Sequence, residues 1–201
     1  MKVILTILIS YLFGSVPWAL VIGKVFYHKD IRTEGSGNLG ASNAGRVLGK
    51  KAAVAVTVLD ALKSFFSMLV ANMLAPQAVL FAGLACCIGH CFPVFANFKG
   101  GKAVATAYGF FLGISALITH QYFWNFLFPI IVFFAVLYLT KMVSVSSLSA
   151  ILSEAVVCFA VNRDMKLGIC VLVLWAFITY RHRSNLERVK NGTENKIRWM
   201  G

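Results

Sequence analysis

Ser36, Asn38, Ser42, Asn43 and Arg46 fall within one short stretch, Gly35-Ser36-Gly37-Asn38-Leu39-Gly40-Ala41-Ser42-Asn43-Ala44-Gly45-Arg46. Glycine lets the backbone adopt positive φ and approach a ligand closely. Successive amide N–H groups in such a loop form concave anion sites. The serines and asparagines add neutral hydrogen bonds, and Arg46 adds a planar fork that grips phosphate through two bonds at once. The chemistry suggested is the binding of a phosphorylated ligand. A flexible linker is the plain alternative, but a linker needs neither the asparagines nor the regular spacing of small residues. The loop is neither a Walker A motif nor a dinucleotide fingerprint, because no strand precedes it.

Three further segments carry the same kind of residues. In Phe98-Lys99-Gly100-Gly101-Lys102-Ala103-Val104-Ala105-Thr106 two lysines flank a Gly-Gly step, and a helix is expected to start directly after. A helix N-terminus with open N–H groups binds anions, and Lys102 brings a point charge to it. Read alone, the segment is equally a basic turn between two spans. In Lys141-Met142-Val143-Ser144-Val145-Ser146-Ser147, Ser144 and Ser147 are three apart and face one side of a helix. Capping or polar packing between helices places serines the same way. In Tyr180-Arg181-His182-Arg183-Ser184-Asn185-Leu186-Glu187-Arg188, followed by Gly192-Thr193-Glu194-Asn195-Lys196, His182 and Asn185 are again three apart. A basic tail resting on lipid head groups is the alternative there. His182 and Glu187 also form a His-x4-acid spacing, similar to the His-x4-Asp of other acyltransferases. It has Glu for Asp and no soluble context, and carries little weight.

The elements that must position these residues are identified by composition. Of 201 residues, 59% are hydrophobic and only 13% are charged, where a soluble domain carries about 25% charge. The mean hydropathy is +0.79. This is an all-α integral membrane protein, a single transmembrane domain over residues 1–201. Each span needs about 20 apolar residues, and the hydrophobic runs predict about seven transmembrane helices, over 3–26, 52–74, 77–96, 103–119, 121–140, 144–161 and 167–181. The last few are short, and re-entrant segments would reduce the count to five or six. The run from Val3 to Phe26 is longer than a signal-peptide core and reads as the first membrane helix.

Nineteen Lys and Arg against seven Asp and Glu give a net charge of +12. Fifteen of the nineteen fall in the connections after the first, third, fifth and seventh spans, up to Arg198 in the tail, and only Lys2, Arg163 and Lys166 on the other side. That asymmetry places the basic side in the cytoplasm, the N-terminus outside and the C-terminus inside. All four polar segments lie on the basic side, which suggests one cytoplasmic-face site built from several loops. The charge is not a nucleic-acid signature, since no aromatic-basic surface segment accompanies it. Asp60 and Lys63, three apart inside the second span, read as an internal ion pair. Glu154 has no partner evident in sequence. Cys86, Cys87, Cys91, Cys158 and Cys170 lie in apolar runs, without the spacing of a disulfide framework or a metal cluster.

Together the segments resemble the signatures of the bacterial membrane acyl-phosphate:glycerol-3-phosphate acyltransferase (PlsY) family. Those signatures are a GSGN-x-GATN-x-x-R loop, a GH-x-x-P-x-F-x-x-F-KGGK-x-VAT segment, an S-x-x-S helix start and a YRHR-x-N tail. Here they read GSGNLGASNAGR, GHCFPVFANFKGGKAVAT, SVSS and YRHRSN, over nearly the whole chain. Ser42 replaces the usual Thr, and Ser64 follows Asp60-Ala61-Leu62-Lys63 where the family has Gly. The resemblance implies seven transmembrane helices in the bacterial inner membrane and transfer of an acyl group from acyl phosphate to the 1-hydroxyl of sn-glycerol 3-phosphate in phospholipid synthesis. It implies catalytic roles for Ser36, Arg46, Lys102, Ser147, His182 and Asn185, around two phosphates and the reacting carbonyl. Gly35, Gly37, Asn38, Asn43, Lys99, Gly100, Gly101 and Ser144 are implied in substrate binding, with the amides of Lys99, Gly100 and Gly101 holding phosphate. No metal or cofactor is implied. The partners are the two substrates, membrane lipids and the soluble enzyme that makes acyl phosphate. A transporter of a phosphorylated metabolite is the rival reading, disfavoured by the absence of an internal repeat and by polar motifs confined to one face.

Overall fold

The computed structural model describes residues 1–197, so Arg198 of the basic tail lies outside the described residues. Among these the regular structure is helical throughout, and the chain divides into two compact units, Met1–Gly113 and Ile114–Gly201. The first contains α1 (Lys2–Ser15), α2 (Trp18–Tyr27), α3 (Ala41–Leu48), α4 (Lys50–Leu74), α5 (Val79–Cys91) and most of α6 (Val104–Ile114). The second contains two π-helical turns, Ser115–Thr119 and Phe123–Leu127, then α7 (Phe128–Thr140), α8 (Val143–Ala160), α9 (Met165–Arg181) and α10 (Arg183–Lys190).

Seven helical segments occupy the seven expected spans. Five are long and apolar enough to cross a membrane alone: Lys2–Tyr27, Lys50–Leu74, Pro76–Ala96, Phe123–Thr140 and Val143–Ala160. The short ones are Val104–Thr119 and α9, which continues into α10 across a 65° bend and then makes a sixth. Shortness is therefore a property of the fourth and seventh segments, whereas the fifth and sixth reach 18 residues each. The first span is broken between α1 and α2 at Val16-Pro17, where proline supplies no amide to continue the ladder.

Small residues bring the helices of the first unit together, as is usual where lipid and helix are equally apolar. A Cβ on Gly14 of α1 would run into the backbone of Cys86 on α5, and one on Gly89 into the carbonyl of Tyr11. Likewise a Cβ on Gly109 of α6 would meet the Ala61 carbonyl of α4. Ser64, which replaces the family glycine, is fully buried. Large apolar side chains point outward in both units, among them Leu5, Leu8 and Phe26 in the first and Ile131, Phe134 and Leu139 in the second. A lipid environment covers such faces.

In the second unit Glu154, which has no partner evident in sequence, is fully buried and accepts a hydrogen bond from Asn125 Nδ2 at 2.9 Å. Asn125 in turn exchanges hydrogen bonds with Asn162, 2.7 and 3.1 Å, and accepts one from Thr119 at 2.8 Å. The partners come from the turn before α7 and the residues after α8, too distant in sequence for spacing to reveal them.

Candidate functional site

The glycine-rich loop is organised by Asn43, on the second residue pair of α3 and almost wholly buried. Its amide donates to the carbonyls of Ile31 at 3.1 Å and Glu34 at 3.2 Å. Its Oδ1 accepts from the Ser36 amide at 2.8 Å and the Ser36 hydroxyl at 3.2 Å. Arg46, one turn further along α3, donates from Nη2 to Ser36 Oγ at 3.0 Å. Gly35 and Gly37 have φ of 60° and 67°, and a Cβ on Gly35 would collide with Asn43 Oδ1, so the tight wrap of loop on helix requires glycine there. Ser36 and Arg46 are thus held together, both exposed.

Ser36 N–H is taken by Asn43 and Gly37 N–H by the Glu34 carbonyl at 3.0 Å, whereas those of Gly35, Asn38, Leu39, Gly40, Ala41 and Ser42 donate to no acceptor among the described residues. Open N–H groups therefore lie both within the loop, at Gly35 and Asn38, and at its entry into α3. Charge is divided unequally along it. Arg32 pairs with Asp30 at 2.6 Å, Lys24 approaches the same carboxylate at 3.6 Å, and Lys29 pairs with Glu34 at 3.4 Å. The Arg32 hydrogen bonds hold the Asp30 carboxyl well below the usual carboxylate range and push the guanidinium up in return. Arg46 pairs with no carboxylate among the described residues.

The Lys99–Lys102 turn differs from expectation. Lys99 N–H donates to the Ala96 carbonyl, Gly100 N–H to Cys91 and Gly101 N–H to His90, each at 3.1 Å. Phosphate binding by these three amides, expected from the sequence, is corrected: the protein's own carbonyls already occupy them. Lys102 is half-buried and leads into α6, whose first-turn N–H groups have no intrahelical acceptor. Thr106 of that turn is fully buried, and its hydroxyl bonds to no described residue. Asn38 Nδ2 reaches the Gly100 carbonyl at 3.5 Å, bringing the first loop and this turn together.

In the second unit the hub is Glu194, which the spacing of motifs did not single out. Its Oε1 accepts from Ser144 Oγ at 2.7 Å and Asn185 Nδ2 at 2.6 Å, and its Oε2 accepts from Arg188 Nε at 2.8 Å. Burial pushes the Glu194 carboxyl up, but the hydrogen bonds from Asn185, Ser144 and Arg188 outweigh it and hold it below its ordinary value. The acid in the Gly192–Lys196 stretch, rather than Glu187, is the one that orders this end. The only hint in sequence is an acidic residue placed after a basic helix.

His182 stands at the 65° bend between α9 and α10, buried, with Nδ1 2.8 Å from the Ile178 carbonyl. A carbonyl only accepts, so Nδ1 carries the hydrogen and neutral imidazole keeps its lone pair on Nε2. Ser147 is buried and donates to the Val143 carbonyl at 2.7 Å, so its hydroxyl offers lone pairs rather than a proton. Ser144, Asn185 and Arg188 meet through Glu194, while Ser147 is held by its own helix. Each unit has a polar cluster of its own: Ser36, Asn43, Arg46 and the Lys99–Lys102 turn in the first; Ser144, Asn185 and Glu194 in the second, with His182 three residues before Asn185 and Ser147 three after Ser144.

The profile of the glycerol-3-phosphate acyltransferase family matches residues 4–192. The chain is 44% identical over 198 residues to the glycerol-3-phosphate acyltransferase of Geobacillus kaustophilus, covering 98% of this chain and 97% of that one. It is also 44% identical over 201 residues to that of Bacillus velezensis, covering 100% of both. Among solved structures, PlsY, an integral membrane glycerol 3-phosphate acyltransferase, in its glycerol 3-phosphate form, has a TM-score of 0.89 at 34% identity, over 98% of this chain and 96% of that one. The lysophosphatidic acid form of PlsY has a TM-score of 0.85.

Proposed function

Because the chain belongs to the glycerol-3-phosphate acyltransferase family, we propose that it acylates the 1-hydroxyl of sn-glycerol 3-phosphate from an acyl phosphate, releasing lysophosphatidic acid and inorganic phosphate. The reaction takes place at the cytoplasmic face of a bacterial inner membrane, with the N-terminus outside. The observation that carries the reading is the Ser36–Asn43–Arg46 arrangement, in which a buried neutral amide holds a hydroxyl, and the hydroxyl holds a guanidinium that pairs with no carboxylate among the described residues. That pair suits a phosphate oxygen dianion. The solved relative in its glycerol 3-phosphate form supports the choice of acceptor.

An acyl phosphate is already activated, so the protein's share is positioning and stabilisation of charge at the carbonyl oxygen and departing phosphate. The acceptor's 1-hydroxyl oxygen attacks the acyl carbon, the bond from that carbon to the phosphate oxygen breaks, and phosphate leaves with the electron pair. Arg46 and Ser36 hold one phosphate, with Lys102 and the first turn of α6 supplying charge and N–H groups for phosphate as well. His182 Nε2 takes the hydroxyl proton, a role supported by the tautomer that the Ile178 carbonyl selects. Asn185, turned by Glu194, and Ser147 are the further polar partners that the second unit offers the reacting groups.

Purified protein in detergent, given acyl phosphate and sn-glycerol 3-phosphate with acyl-CoA as a parallel donor, tests the assignment. Matched appearance of phosphate and lysophosphatidic acid from acyl phosphate alone is expected. No product from either donor, with folded protein, would return the transporter to the front, to be judged by uptake into sealed vesicles. Near-normal kcat in His182→Gln would pass the proton to the acceptor's own phosphate.

A further inference from the structure

Asp60, Lys63 and His90, three ionisable side chains without a part in the reaction above, meet in the first unit behind the Lys99–Lys102 turn. Asp60 and Lys63 lie one turn apart on α4 with Nζ 2.8 Å from Oδ1. Lys63 Nζ also donates to the carbonyl of Val16, at the break between α1 and α2, at 3.0 Å. Its third contact is His90 Nδ1 on α5, again at 3.0 Å. An ammonium has three donors and no lone pair, and here each donor has an acceptor. Nδ1 therefore accepts, and the ring hydrogen sits on Nε2. Asp60 Oδ1 lies 3.4 Å from the same Nδ1. All three side chains are buried, at 1%, 5% and 7% exposure in chain order.

His90 joins this cluster to the turn in two ways. Its carbonyl accepts the Gly101 N–H at 3.1 Å. Its ring lies flush against Gly101, where a Cβ would run into Nε2 and come within 3.0 Å of Cε1. Gly100 is as closely seated: its N–H donates to Cys91, and a Cβ there would strike the His90 carbonyl. The Gly100 carbonyl in turn faces Asn38 Nδ2. Contacts run without interruption from the ion pair on α4, through the His90 ring, to the glycines that precede Lys102. An ion pair that only offset the cost of charge inside a membrane would be complete with two members.

We propose that Asp60, Lys63 and His90 are positioning residues for the Lys99–Lys102 turn. The ion pair fixes the His90 ring, and ring and carbonyl together fix Gly101, so that Lys102 and the first N–H groups of α6 meet a substrate phosphate in one geometry. The inference rests on the acyl transfer proposed above.

Steady-state kinetics of the purified full chain, varying acyl phosphate and glycerol 3-phosphate in turn, tests it on two variants. His90→Ala removes the ring, and the double change Asp60→Asn with Lys63→Met removes both charges at once, leaving neither unpaired. Both are expected to raise KM for the same phosphate substrate by about 5-fold or more, with kcat within about 2-fold of the parent. The substrate whose KM moves is the one the turn holds. A scaffold role predicts another pattern: less folded protein, lower kcat and unchanged KM. The second readout is coupling. Gly101→Ala is expected to be damaging in the parent and milder in His90→Ala, where the added methyl has room; effects that simply multiply would overturn the contact. Where melting temperature or monodispersity shows a variant unfolded, His90→Asn, which keeps an acceptor near Nδ1, replaces it, and unchanged KM for both substrates there overturns the proposal. A parent enzyme inactive with acyl phosphate and glycerol 3-phosphate would fail differently, removing the reaction itself.

Discussion

In the Gly35–Arg46 loop the buried hub is a neutral amide, Asn43; beyond α10 it is a carboxylate, Glu194. Each collects a serine hydroxyl and lies near an arginine, and the consequences for charge are opposite. Asn43 satisfies Ser36 and two backbone carbonyls without attracting Arg46, whose guanidinium is left to a neutral hydroxyl. Glu194 draws in Arg188, so the second cluster is close to neutral before any ligand arrives. A neutral hub keeps a cation available for phosphate; an anionic hub uses the cation to fix geometry. The loop shows the same choice within itself, since Arg32 is neutralised by Asp30 while Arg46 at its far end pairs with no carboxylate among the described residues.

The largest effect should follow from removing the available cation. Arg46→Ala is expected to lower kcat/KM by about 100-fold or more, the scale of losing a charge-stabilising donor, with melting temperature unchanged because the side chain is exposed. Next comes converting one hub into the other. Asn43→Asp keeps the acceptor for Ser36 but strips the donors from Ile31 and Glu34 and sets a carboxylate beside Arg46. A loss of roughly 1–3 kcal/mol of stability is expected from the two orphaned carbonyls, with a KM for glycerol 3-phosphate raised about 10-fold. Normal KM in that variant would break the comparison.

Glu194 gives the reciprocal test, in pH. Its folded-state pKa lies below the ordinary 4.5, so its contribution is complete above that value and is lost as pH falls through the lowered one. Melting temperature in detergent should therefore drop on acidification below about pH 4.5, and Glu194→Gln should flatten that limb while lowering the plateau. An identical acid limb in parent and variant would remove Glu194 from the account. The smallest effect belongs to Arg32→Ala: its pairing is exposed, and activity should stay within about 2-fold of the parent.

Hydropathy alone located the helical segments to within a few residues, because an apolar run of bilayer length has few other fates. Ser36 and Arg46 were legible for a related reason: polar residues among glycines in an otherwise apolar chain stand out. The hubs were not. Asn43 appeared as one neutral donor among several, and Glu194 lies fifty residues from the serine it binds. Hydrogen bonds across such separations leave no periodicity. Backbone use was equally hidden: a Gly-Gly step between lysines suggests open amides, yet Gly100 and Gly101 are seated on the carbonyls of Cys91 and His90. Asp60 and Lys63 were legible as a pair because one helical turn separates them, whereas the third member, His90, is on another helix.

The Asn125–Glu154 hydrogen bond bears on how the second unit enters the bilayer. A carboxyl passing alone into hydrocarbon is among the most unfavourable side chains a translocating helix carries. Glu154 lies in the middle of α8, and its partner arrives with the turn ahead of α7, the preceding segment to leave the ribosome. The two helices are thus suited to partition as a hairpin, the amide already on hand when the acid reaches the lipid. Asn125→Leu, which makes the Phe123–Thr140 segment more apolar, should then reduce rather than improve the yield of inserted protein.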